Sequence, residues 1–184
     1  LSSLLFVDVR EPWSQTVTQI VHVENEEPFL ITREWVDDLI KKAQKQRMDD
    51  TVEGSLLHDL GMHVVEKTIV DINVNGYDVS DPYGKEAREL HIAHLTGLVP
   101  TEVLEAVQEV EDKVLADVYT SAHTYALVLY CVLRDLYPHT KNALLIDVSG
   151  EATEIGIIRD GILYETTTLS YGAYTLTREI ARAL

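Results

Sequence analysis

Residues 4–10 and 16–24 are rich in Val, Ile, Thr and Phe, and Glu11-Pro12 stands between them as a turn signal; the pattern predicts two strands. Thr32 can cap a helix, Glu34 suits its first turn, and Trp35, Val36, Leu39, Ile40 and Ala43 recur at helical spacing. This predicts an amphipathic helix over 33–46, with Lys41, Lys42, Lys45 and Arg47 in its last turns, where the helix dipole favours cations. Residues 49–59 are polar and read as a loop. The β-branched run 64–74 reads as a strand, and Asn75-Gly76 after it is a hairpin signal. The turn Asp81-Pro82-Tyr83-Gly84 leads to a further strand over 87–96. Pro100 and Thr101 then open a helix with Val103, Leu104, Val107, Val110 and Val114 on its apolar face.

Residues 114–119 return to strand character. Residues 121–136 read as a helix that is apolar on most sides, hence sandwiched, and Pro138 ends it. The last third changes pattern. A short buried-type strand at 143–148 is followed by strands at 153–159 and 162–169, joined by the tight turn Asp160-Gly161, and a helix from about Tyr174. The fold class is α+β, with neither repeats nor low-complexity segments.

Composition is ordinary for a globular chain, 46% hydrophobic and 25% charged over 184 residues, enough for one domain or two small ones. No apolar run is long enough to span a bilayer. The single cysteine, Cys131, excludes an internal disulfide framework and suits a reducing compartment. A formal charge of −16 repels phosphate backbones and speaks against nucleic-acid binding. The absence of an initial methionine and the final residue inside a helical pattern lead us to expect a piece of a longer product.

The segment with the most chemistry is 143–184. An apolar strand ending in Asp147, a turn of small residues and a β-hairpin can hold a nucleotide phosphate. Turn N–H groups face the anion, the strand-end carboxylate holds Mg²⁺ through water, and small residues allow close approach.

That order of elements resembles the second phosphate loop of the actin, sugar-kinase and heat-shock-70 ATPases. It is most similar to the bacterial actin-like family of FtsA and its relative PilM. The likeness rests on D-x-x-G at Asp147 to Gly150, on Asp160-Gly161, and on Gly172 before T-x-x-I-A at Thr177, Ile180 and Ala181. Upstream, Gly76-Tyr77-Asp78 and Asp81-Pro82-Tyr83-Gly84 resemble that family's Y-x-x-D … N-P-x-G segment.

The resemblance implies an FtsA-like 1C (SHS2-like) subdomain over 1–115, a connecting strand and helix of 1A type over 116–140, and the start of an actin-like, ribonuclease-H-like 2A subdomain over 142–184. It implies ATP and Mg in the full-length parent, none for this piece alone, with Asp147, Ser149, Gly150, Glu154 and Gly172 facing the nucleotide and Asp147 holding Mg through water. It implies at most weak ATPase activity in the parent, self-assembly into filaments, and contact with FtsZ and other division proteins. Its place is the cytoplasmic side of the cell membrane, reached through regions outside this chain. The alternative is a PilM-like scaffold of type IV pilus assembly with an inner-membrane partner. Ser149 and Glu151 stand where FtsA has glycines, and Ala152 where it has threonine, so Glu151 would set a negative charge beside a phosphate; PilM-type loops vary more here. Either reading requires three adjacent antiparallel strands over 142–170.

Other signals have plainer readings. His91 and His94 make an H-x-x-H, but on a strand the odd offset puts the rings on opposite faces, so no metal pair is expected. His58 and His63 read as surface residues, and Cys131 as an inert thiol. Asp37-Asp38 and Asp49-Asp50 read as solvated charges. Ser170 lacks the G-x-S-x-G elbow of a nucleophile.

Overall fold

The computed structural model describes residues 3–52, 61–114 and 118–184. The strands are β1 (Ser3–Val9), β2 (Gln15–Leu30), β3 (Met62–Val74), β4 (Tyr77–Asp78), β5 (Glu86–Pro100), β6 (Val118–Thr124), β7 (Ala143–Val148), β8 (Thr153–Arg159) and β9 (Ile162–Leu169). The helices are α1 (Arg33–Val52), α2 (Thr101–Val114), α3 (Tyr125–Leu136) and α4 (Ala173–Ala183). The chain forms two compact units. One comprises Leu1–Val17, Leu60–Glu66 and Thr96–Leu184; the other comprises Thr18–Asp59 and Lys67–Leu95.

In the second unit, strands in the order β2-β5-β3-β4 carry a core of Ile31, Val36, Ile40, Val74, Ala87, Leu90 and Ile92, with Phe29 and Trp35 packed against it. Thr32 caps α1 as expected: its Oγ1 accepts from Trp35 N–H at 3.2 Å, and its carbonyl accepts from Val36 N–H at 3.1 Å. The helix runs six residues past the predicted end at 46, through Val52. The basic residues 41–47 therefore sit in its interior, and residues 49–52 are helix rather than loop. The rest of that loop reading lies outside the described residues, as does His58. Asn75 and Gly76 both have positive φ, 52° and 84°, which gives the hairpin turn between β3 and β4 the twist that strands require. The Asn75 side-chain carbonyl also accepts from the N–H groups of Arg88 and Glu89, at 2.8 and 3.0 Å.

In the first unit, β1 and β6 pair in parallel, from Ser3 opposite Val118 to Val9 opposite Thr124. The predicted helix start at Ser121 is displaced to Tyr125, because residues 121–124 complete the ladder with β1. Burial on α3 is one-sided: Ala126, Leu127 and Tyr130 are buried, whereas Val132 and Leu136 are exposed. Tyr130 donates to the Gly161 carbonyl at 2.7 Å, which ties α3 to the β8–β9 turn. On α2 only the first part of the expected apolar face is covered; Val110 and Val114 are exposed.

Strands β7, β8 and β9 form the antiparallel three-stranded sheet the sequence requires, within a residue of the expected bounds. One feature differs. Strand β7 was expected to be buried, yet only Leu145 is, while Leu144, Ile146 and Val148 are 60–64% exposed. The alternation of a strand separates the two faces, and the described residues cover one of them.

Candidate functional site

The β7–β8 register places Asp147 opposite Glu154 and Val148 opposite Thr153, with residues 149–152 as the turn. Both carboxylates thus point to one face of the sheet. Glu154 is buried, and its carboxyl is pushed up to about 7, by burial first, then by the negative charges of Glu11 and Asp147, against the opposing pull of Arg10. Burial also raises Glu11, whose side chain is hydrogen-bonded to Thr168. Asp147 carries the ion pair: Arg10 Nη1 is 3.3 Å from its Oδ2, and the same guanidinium lies 3.8 Å above the Tyr125 ring. Sequence reading missed Arg10 and Glu11, which reach this face from the loop after β1.

The turn is closed by its own hydrogen bonds. Ser149 donates from both N–H and Oγ to the Ala152 carbonyl, each at 2.9 Å. The carbonyls of Ser149 and Gly150 accept from the first N–H groups of α4, Ala173 at 2.9 Å and Tyr174 at 2.8 Å, so the turn satisfies donors that a helix start leaves open. Two glycines permit this approach. A Cβ on Gly172 would lie 2.5 Å from the Gly150 carbonyl oxygen, and one on Gly150 would lie 2.6 Å from the Tyr174 ring. Glu151 is paired with Arg178 through two bonds of 3.0 and 2.8 Å, which hold its carboxyl below the ordinary range. The charge expected to repel a phosphate is therefore neutralised within the chain.

The structure brings Asp147, Ser149, Gly150, Glu154 and Gly172 together around one turn. As folded, several of these groups are engaged within the chain. Asp147 is occupied by Arg10, the Ser149 N–H is turned to Ala152, and two carbonyl oxygens, carrying partial negative charge, face α4. Use of Asp147 by an ion would need Arg10 to leave it.

A second, partly buried network joins β3 to β6. Glu66 Oε1 accepts from Thr124 N–H at 2.8 Å and from Thr124 Oγ1 at 2.7 Å, while its Oε2 is 2.7 Å from His123 Nδ1. His123 Nε2 is in turn 2.8 Å from Ser121 Oγ. The order Ser, His, Glu is that of a hydrolase relay. Yet one oxygen of Glu66 is committed to the fully buried Thr124, and Gly97 leaves the carboxylate its room, since a Cβ there would lie 2.5 Å from Oε1. We assign this network a structural role, locking the junction of β6 and α3.

Among the remaining signals, His94 is buried while His91, three residues before it, is partly exposed, consistent with opposite faces. Burial lowers His94 and raises the Cys131 thiol, as expected for an inert cysteine.

Fold and site together define a mixed α/β chain. No protein-family profile and no curated protein sequence matches it. Among solved structures, it is similar to a chain of a PilM–PilN type IV pilus biogenesis complex, with a TM-score of 0.61 and 11% identity over 99% of this chain. The similarity covers 47% of that chain, so the present protein spans about half its length. At this identity the likeness is one of fold.

Proposed function

We propose that the protein is an assembly scaffold of the PilM kind, acting at the cytoplasmic face of the membrane by binding an inner-membrane partner resembling PilN. The observation that carries this reading is an apolar face exposed among the described residues, Leu144, Ile146 and Val148 on β7, on a fold similar to that of a PilM–PilN chain. Contiguous exposed apolar surface marks interaction sites more often than free surface. Residues 1–115 are proposed as the SHS2-type interaction subdomain, 116–140 as the connecting strand and helix, and 142–184 as the start of 2A. Of the two roles drawn from the sequence, pilus assembly is favoured over division by this likeness.

ATP binding is a separate proposal resting on Asp147, Ser149, Gly150, Glu154 and Gly172, and it depends on release of Arg10. The test of the scaffold reading is titration of the full-length protein with a peptide of the partner's cytoplasmic tail, alongside co-sedimentation with FtsZ. Saturable peptide binding supports the reading. No peptide binding by folded protein overturns it, and co-sedimentation with FtsZ in its place returns the division role.

A further inference from the structure

We propose that His22, Glu89 and His91 form a binding site for one divalent transition-metal ion of the zinc type. Glu89 and His91 are two apart on β5, so both side chains leave the same face of the strand. His22 joins them from β2, the neighbour of β5 in the sheet. Both imidazoles turn Nε2 to the same atom: His91 Nε2 is 2.8 Å and His22 Nε2 3.5 Å from Glu89 Oε1. The rings are stacked, with centroids 4.0 Å apart and planes 11° from parallel, and the three ligand atoms lie within 4.8 Å of one another.

Those distances match what an ion needs. Zinc–ligand bonds of about 2.0–2.2 Å in a tetrahedron set neighbouring ligand atoms roughly 3.4 Å apart. The two edges at Glu89, 2.8 and 3.5 Å, lie on either side of that value; because an ion sits in the plane of each ligating ring, the stacked imidazoles must turn out of parallel to share it. Two imidazoles and one carboxylate suit Zn²⁺, Co²⁺ or Ni²⁺, and are a poor match for Mg²⁺ or Ca²⁺, which prefer all-oxygen shells. Three protein ligands leave a fourth position for water or a donor from a partner. The side chains are 38–45% exposed, so an ion reaches them from solvent. Bound there, it would cross-link β2 to β5. The plain competing account is a surface Glu–His hydrogen bond beside a stacked ring, which contributes little to stability.

The test is calorimetric titration of the whole chain with Zn²⁺, repeated with Co²⁺, whose visible absorption reports ligand number. One ion per chain is expected. His22→Ala, His91→Ala and Glu89→Gln should each weaken binding by at least about tenfold, while His139→Gln, at an exposed position elsewhere, leaves it unchanged. Circular dichroism in chelator confirms that the variants fold. Zn²⁺ should raise the melting temperature of the natural chain and not that of the His22→Ala/His91→Ala double variant. The proposal is overturned by an absence of saturable binding, by binding that survives the double variant, or by binding that Glu89→Gln does not alter.

Discussion

Asp147 and Glu154 face each other across the β7–β8 ladder, and the Arg10 guanidinium pairs with Asp147. The buried partner is left to hold a proton near neutrality, with its carboxyl pushed up to about 7.

A raised carboxyl makes stability fall as pH rises. Between 4.5, its ordinary value, and about 7, folded Glu154 binds a proton that the unfolded chain has released. Its contribution is therefore fully present below pH 4.5 and lost through pH 7, by about 2–3 kcal/mol. Glu154→Gln should remove that dependence and make the chain more stable than the natural one at pH 8. Urea unfolding of both at pH 5 and pH 8 measures it; equal slopes with pH would show Glu154 ionised throughout.

Removing Arg10 takes a cation from Asp147, a ring contact from Tyr125 and an attraction from Glu154. Arg10→Ala should move the Glu154 midpoint further up, followed by carboxyl NMR shifts. The stability change should stay within about 1–2 kcal/mol, since this ion pair is part-exposed.

Because Arg10 occupies Asp147, Mg–ATP binding by the natural chain should be no tighter than about millimolar in calorimetry. Micromolar binding that Asp147→Ala abolishes would show that Arg10 gives way to the ion and that the turn opens.

Gly172→Ala has no room, since the obstructing atoms are the backbone carbonyls of Ser149 and Gly150. Its φ of −141° is ordinary, so the cost is steric and should reach about 1–3 kcal/mol. Faster hydrogen exchange at the Ala173 and Tyr174 amides, with the β8–β9 ladder unaffected, would locate the damage.

Glu66→Ala strands the buried N–H of Thr124 and leaves its hydroxyl only Thr16 Oγ1, 2.7 Å away, as partner; it should cost about 1–3 kcal/mol. Ser121→Ala, at the outer end of the network, should cost under about 1 kcal/mol. Comparable losses from the two would mean the network is organised around Ser121 instead.

Local pattern made much of this fold legible. Asn75-Gly76 and Asp160-Gly161 announced their hairpins because positive φ at both central residues suits Asn, Asp and Gly. Thr32 announced α1 because a cap is a matter of four consecutive residues. The helix start at Ser121 was misplaced for the opposite reason: residues 121–124 are strand because β1, more than a hundred positions earlier, pairs with them. The expected burial of β7 failed likewise, since apolar character in Leu144, Ile146 and Val148 does not say what covers them.

The sequence by itself determined the element order, the hairpins, and the meeting of Asp147, Ser149, Gly150 and Glu154 in one turn, because short-range backbone geometry is written in neighbouring residues. Tertiary structure alone decided that Arg10 neutralises Asp147, that Arg178 neutralises Glu151, and that His22 stacks on His91. Charge and ring contacts of that kind depend on strands and helices brought together from distant parts of the chain, and no local pattern encodes the pairing.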